Sequence, residues 1–210
     1  MMLVLVMPVS AETPNLSNEP LYAENYYVEM YVHENGMVDI SHTIDMFFNM
    51  KHQGIIVELP TKYIETDFSS ITGSDLDRSK QYNFPIRKFE SSTHKYEEVD
   101  SNSRGVVYRL GTEGVYLLGE QQFKYSYTIE TMDLRLHNNE QLFFMNILGN
   151  RWQFPMERVS YKVEFEKDIG DVPIYVQGGK NSEDQLFVRK GNIITGEINQ
   201  VLYPGDAATI

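Results

Sequence analysis

Residues Phe123–Ile129 read Phe-Lys-Tyr-Ser-Tyr-Thr-Ile, with an aromatic or aliphatic side chain at every second position and Lys, Ser and Thr between them. That period of two belongs to a half-buried β-strand, whose successive side chains point to opposite faces. The alternation recurs in Tyr26–Val32, Val38–Phe48 and Val159–Phe165. Further short strands are predicted at Gly54–Leu59, Pro85–Ser92, Arg104–Leu110, Val115–Leu118, Leu142–Leu148, Val172–Val176, Gln185–Arg189 and Ile193–Ile198. Leu142–Leu148 is apolar on both parities, so it is expected between two layers. No stretch holds a helical period beyond a turn or two. The expected fold is all-β, an antiparallel β-sandwich that is immunoglobulin-like or related, with room for two stacked β subdomains.

Register can be argued for the first pair of strands. A two-residue Asn35-Gly36 turn would set apolar against polar positions across the ladder. A three-residue loop, Glu34-Asn35-Gly36, pairs Val32 with Val38 and Met30 with Ile40, keeping both apolar sets on one side. This predicts a type I turn with Gly36 in the left-handed position. Two segments are expected to lack strong strands: Tyr63–Asn83, polar and rich in Gly, Ser and Asp, and the polar stretch between Ser92 and Arg104.

The N-terminus bears on compartment. Met1–Val9 is an apolar run followed by Val9-Ser10-Ala11, a small-residue pattern suited to signal-peptide cleavage. It is shorter than the roughly 20 apolar residues a spanning helix needs. Residues 1–11 are therefore assigned to a signal peptide lacking its basic segment, 12–21 to a linker (polar over Thr13–Pro20), and 22–210 to an extracytoplasmic β-sandwich.

Charge and chemistry exclude several functions. Lys and Arg number 18 against 30 Asp and Glu, a net charge of −12, so phosphate backbones are repelled and no nucleic-acid partner is expected. The absence of Cys removes disulfides, thiolate zinc sites and thiol catalysis. The five histidines, His33, His42, His52, His94 and His137, show no metal-ligand spacing. Asp100–Gly105 opens like a calcium loop, but Arg104 sits at a liganding position and Gly111 where a bidentate Glu should close the site, which reads as a turn. Asp75 and Asp77 read as a solvated loop. No catalytic group, metal or cofactor is assigned.

Two places could do more than fill space. His42 falls on the apolar parity of its strand, as a buried polar residue or a group beside an unrecognised carboxylate pair. Trp152, the chain's one Trp, stands between Gly149 and Pro155 and is grouped with Asn150 and Arg151 beside it and Asn146 just upstream. These four make a candidate ligand or partner surface, or a plug at one end of the core.

Several segments in order resemble a known family. They are Asn35-Gly36-Met37-Val38-Asp39-Ile40-Ser41, Gly54-Ile55 to Pro60, Leu110-Gly111 followed by Tyr125, Tyr127 and Ile129, the set Glu140, Phe144, Asn146, Gly149, Trp152 and Pro155, and Leu202-Tyr-Pro-Gly205. Together, over nearly everything after Tyr22, they resemble the N-terminal domain of the bacterial predicted membrane proteins called domain of unknown function DUF2207. The chain departs from that pattern at His42, Val57 and Met145, where the family carries Glu, Arg and Trp. The resemblance implies a parent with a signal peptide, this domain outside the cytoplasm, and transmembrane helices beyond this chain. It supplies no functional residues. The expected function is non-catalytic binding, sensing or assembly at the cell envelope, with an envelope protein or glycan as partner. The alternatives are a secreted carbohydrate-binding module using Trp152 and an envelope hydrolase.

Overall fold

The computed structural model describes residues 15–64, 81–102, 105–130, 134–135, 141–179 and 183–210. Residues 1–11 of the expected signal peptide, Asp75, Asp77, Arg104, His137 and Glu140 lie outside them. Within the stretch read as linker, Leu16–Asn18 form one 3-10 turn and Leu16 is buried.

The strands in chain order are β1 (Leu21–Val32), β2 (Met37–His52), β3 (Ile55–Pro60), β4 (Lys62–Ile64), β5 (Gln81–Asn83), β6 (Ile86–Ser91), β7 (Tyr96–Asn102), β8 (Gly105–Leu110) and β9 (Leu117–Glu130). There follow β10 (Leu134–Arg135), β11 (Gln141–Leu142), β12 (Asn146–Leu148), β13 (Val159–Phe165), β14 (Gln177–Gly178), β15 (Glu183–Asp184), β16 (Phe187–Lys190), β17 (Ile193–Ile198) and β18 (Ala208–Thr209). Among the described residues, seven strands build one large sheet in the order β16-β17-β13-β1-β2-β9-β6. A four-stranded sheet (β12-β18-β14-β15), a three-stranded sheet (β3-β8-β7) and the ribbons β4-β5 and β10-β11 complete the fold.

The β1–β2 hairpin has the expected register: Val32 faces Val38, Met30 faces Ile40, and Gly36 adopts φ 81°. One face of the large sheet therefore collects Tyr26, Val28, Met30, Val38, Ile40, Ile44, Met46, Phe48, Phe123, Tyr125, Val159, Tyr161 and Val163, all buried. The smaller sheets cover that face as a second layer. The Phe89 ring of β6 stacks nearly parallel on the Tyr108 ring of β8, centroids 3.7 Å apart, with that of Tyr125 of β9 5.7 Å away. At the other side Gly178 of β14 comes so close to Ile198 of β17 that an added Cβ would meet its Cδ1 at 3.0 Å. The architecture is all-β and sandwich-like, and among the described residues the buried side chains of both layers join in one core cluster.

The structure corrects the expected strands in four places. The large sheet is mixed: β1 pairs in parallel with β13, Tyr26 opposite Val159 through Val32 opposite Phe165. Alternation reports which face is buried but not strand direction, so a parallel pair leaves no local trace. Tyr96–Asn102, in the polar stretch, is strand β7; its side chains from Glu97 to Ser101 are exposed, so it has no buried face to pattern. Leu142–Leu148 is not one strand: β11 pairs with β10 and β12 with β18, the chain changing partners between them. Ile147 and Leu148, consecutive in sequence, are both buried, as a segment covered on both sides requires. Val172–Val176 forms no ladder; Pro173 within it has no N–H to donate.

The two family-like glycine motifs meet in space. Gly54 and Gly111 flank the paired strands β3 and β8, with φ of 129° and 145°. A Cβ on Gly54 would lie 1.9 Å from the Leu110 carbonyl oxygen, and one on Gly111 would lie 2.0 Å from that of Gln53. Only glycine permits this approach.

Candidate functional site

Polar chemistry collects on the large sheet in two settings. Inside, β1, β2 and β9 bring Tyr26, His42, Tyr125 and Tyr127 onto the core face. The Tyr26 hydroxyl lies 2.9 Å from His42 Nδ1 and 3.1 Å from the Tyr125 hydroxyl. His42 Nε2 lies 3.3 Å from the Tyr127 hydroxyl. The imidazole stacks on Tyr125 and Tyr127, with centroids 4.5 and 5.5 Å apart. Each ring nitrogen thus faces a hydroxyl, so a neutral imidazole donates through one and accepts through the other in either tautomer. Burial drives the His42 pKa down to about 3. It also raises that of Tyr125, whose bond with Tyr26 opposes the shift, and raises Tyr26 well above the usual phenol value. His42, Tyr26 and Tyr125 are buried, and Tyr127 is partly buried at the margin of the cluster. The partners at both His42 nitrogens are tyrosine hydroxyls.

The Trp152 group joins this cluster through one residue. Trp152 is partly buried and meets Tyr26 edge-on at 5.1 Å and Phe154 at 5.6 Å. Its sequence neighbours go elsewhere. Asn146 lies in β12 and accepts from the Thr209 hydroxyl at 3.0 Å. Arg151 forms an ion pair with Glu58 of β3, and Asn150 is exposed. Asn146, Arg151 and Trp152 are therefore engaged with three different elements. His42, Val57 and Met145, the departures from the family pattern, are all buried.

Outside, the opposite parity of the same strands makes a polar face. Lys162 of β13 bridges Glu29 of β1 at 2.9 Å and Glu164 at 2.8 Å. Hydrogen bonds to both carboxylates push its pKa up. Asp39 of β2 accepts from the Thr128 hydroxyl at 2.6 Å, and its other oxygen lies 2.7 Å from His33 Nε2. These bonds, Thr128 first, lower the Asp39 pKa against a smaller opposing effect of burial. At the edge, β6 bulges between Arg87 and Glu90 where it pairs with β9, and Lys88 takes φ 51°. The bulge leaves Lys88 close enough to Asp39 to favour its charged form. Together these strands enclose an open concavity of about 350 Å³, lined by Glu29, Tyr31, Asp39, Glu90, Thr128 and Glu164.

Sequence reasoning placed His42 on the buried parity but named none of its partners, which lie 16 and 85 residues away. Their one signal was parity, since Tyr26, Tyr125 and Tyr127 fall on apolar faces. The outer concavity escaped notice because its side chains are the polar half of an ordinary alternation. Among the described residues no group of three or more His, Asp or Glu is placed to hold a metal ion, and no helix is long and apolar enough to cross a membrane. Asp100 lies within β7, in the hairpin that β7 forms with β8.

A family model described as the N-terminal domain of a predicted membrane protein, DUF2207, matches residues 22–201. Among curated proteins none matches the chain significantly. Of the solved structures it is similar to, an M1 zinc metallopeptidase from Deinococcus radiodurans aligns at 10% identity with TM-score 0.40, covering 91% of this chain and 42% of that one. Yeast LTA4 hydrolase aligns at 10% identity with TM-score 0.43, covering 99% of this chain and 32% of that one. The chain spans under half the length of either structure, and likeness at these scores supports no inference.

Proposed function

The chain belongs to that family of predicted membrane proteins, and from this premise we propose that it is the extracytoplasmic, non-catalytic binding domain of its parent, serving recognition or assembly at the cell envelope. The observation that carries the reading is the outer face of the large sheet. It is an open concavity of about 350 Å³ whose carboxylates are held by bonded neighbours: Glu29 and Glu164 by Lys162 beside it, Asp39 by Thr128 and His33. Preset polar groups on a rigid sheet favour recognition, because little ordering entropy remains to be lost on binding. The chemistry that would serve a reaction points the other way. His42, the imidazole on the core face, is buried against tyrosine rings and held neutral to about pH 3.

The apolar run Met1–Val9 ahead of the fold supports export. A glycan partner through Trp152 is not carried into this reading, because that ring already meets Tyr26 and Phe154 edge-on. The test is fractionation of cells producing the natural full-length protein, followed by protease added from outside. Recovery in the membrane fraction with this domain open to external protease is expected; recovery in the soluble cytoplasm overturns the proposal. A photo-crosslinking residue at Ser126, in the concavity, then asks for a partner, and repeated failure to capture one would remove the binding role.

A further inference from the structure

One end of the large sheet carries apolar side chains that the fold does not use. Met50 is 60% exposed, Val115 51%, Tyr116 60% and Leu118 57%. They come from the end of β2 and from the turn and first residues of β9, where the ladder skips from Phe48 opposite Gly119 to His52 opposite Leu117. Met50 thus falls in the irregular stretch that faces Leu118. Behind them, Tyr22 and Phe47 stack at 5.9 Å on partly exposed positions.

This tip is built to hold its shape. The Val115 N–H donates to the Thr112 carbonyl at 3.0 Å, and the Gly114 N–H donates to Gln53 Oε1 at 2.9 Å. Gly114 and Gly119 supply the φ values of 78° and 71° that the turns require. Gly54 and Gly111 lock the neighbouring backbone. Four exposed apolar residues on a braced turn are not casual surface, since scattered single residues are the norm and clustered ones mark contact sites.

We infer that this tip is the part of the domain that contacts lipid, inserting Met50, Val115, Tyr116 and Leu118 into the headgroup region of a bilayer. The proposal rests on the membrane setting proposed above and adds which surface faces the membrane. Three observations select a bilayer as the occupant. The family is one of membrane proteins. The chemistry suits the interface: a tyrosine with an apolar body and polar tip beside aliphatic side chains, with a second tyrosine, Tyr22, behind them. The chain also joins the sheet at this same end. The Pro20 carbonyl accepts from the Met50 N–H at 3.1 Å, so residues 15–20, which lead into the fold, enter it beside the tip. The net charge of −12 adds a condition on the lipid. Anionic headgroups repel the domain, so insertion is strongest into zwitterionic bilayers and is weakened by anionic lipid in a salt-dependent way.

The chain has no Cys, which makes a site-directed test clean. Tyr116→Cys and Leu118→Cys, each carrying an environment-sensitive fluorophore, are mixed with phosphatidylcholine vesicles. Lys167→Cys, exposed beside the β1–β2 hairpin at the opposite end, is the control. The expected result is a blue shift, with quenching by lipid-borne nitroxide, at 116 and 118 and none at 167. Equal response at all three positions, or none at 116 and 118, overturns the proposal. So does a shift that depends on protein concentration without vesicles, which would identify a second copy as the occupant. In parallel, M50S, Y116S and L118S combined should weaken vesicle partitioning by at least about tenfold, from the apolar area withdrawn from the bilayer, with an unchanged melting temperature. Unchanged partitioning of that folded variant would also overturn it. Because these readouts use the isolated chain and defined lipid, they can fail while the parent still fractionates with membranes.

Discussion

The two faces of the seven-stranded sheet are built from the same strands, yet they solve opposite problems. On the inner face, His42, Tyr26 and Tyr125 are removed from water and, with the partly buried Tyr127, must satisfy one another, because an unmet buried donor or acceptor costs about 1–3 kcal/mol. Their solution leans on neutrality: burial lowers the His42 pKa and raises those of Tyr26 and Tyr125, each away from physiological pH. On the outer face, Lys162, Glu29, Glu164, Asp39 and His33 pair beside solvent, where their interactions are screened. The inner face holds the fold and the outer face displays chemistry. A domain that must keep its shape while meeting a partner gains from that division.

The largest test of the contrast removes a side chain of the inner face. Phe123, fully buried, stacks on His94 at 4.1 Å. Phe123→Ala should destabilise the domain by about 3–5 kcal/mol through lost transfer energy and the cavity left behind, read as a lowered denaturant midpoint.

Acid comes next. His42 has a folded pKa of about 3 against about 6.5 when unfolded, so between those values the unfolded chain binds the extra proton. Stability from this group is whole above pH 6.5 and falls with pH through the window down to about 3, by roughly 1 kcal/mol per pH unit. Urea melts from pH 7 to pH 4 should show that slope, and His42→Gln should flatten it. An unchanged slope in the variant would mean that the core tolerates an imidazolium.

Tyr26→Phe keeps the ring that Trp152 and His42 lean on and deletes the hydroxyl that both His42 and Tyr125 face. A loss of about 1–2 kcal/mol is expected; a neutral result would show that the inner hydrogen bonds add little beyond packing. The smallest effect belongs to the outer face. Lys162→Met, which cuts both ion pairs, should change stability by less than about 1 kcal/mol, and the difference should shrink in high salt. A loss as large as that of Tyr26→Phe would dissolve the distinction between the faces.

The inner face was legible in the sequence to the extent that it is local. The β1–β2 register followed from keeping Met30 and Ile40 on one side, and His42 was placed on the buried parity by the same counting. What alternation cannot carry is who pairs with whom over long separations. The stacking of His42 against tyrosines of β9, the meeting of Gly54 with Gly111, and the parallel seating of β13 on β1 all depend on contacts tens of residues or more apart. Strand β7 was missed for a different reason: with its side chains exposed it has no hydrophobic pattern to show. The outer concavity was invisible because Glu29, Asp39 and Lys162 look, in sequence, like any solvated half of a strand.

The parallel seam between Tyr26 and Val159 has a bearing on how the domain comes into being. Strand β1 finds β2 within a few residues, but its second edge stays bare until some 133 positions later in the chain have been made, as the pairing of Glu29 with Lys162 illustrates. Closure of so long a loop is slow, and open edges invite wrong partners in the meantime. A half-synthesised copy therefore carries a sticky flank in its very centre, a hazard set by topology rather than by any one weak contact.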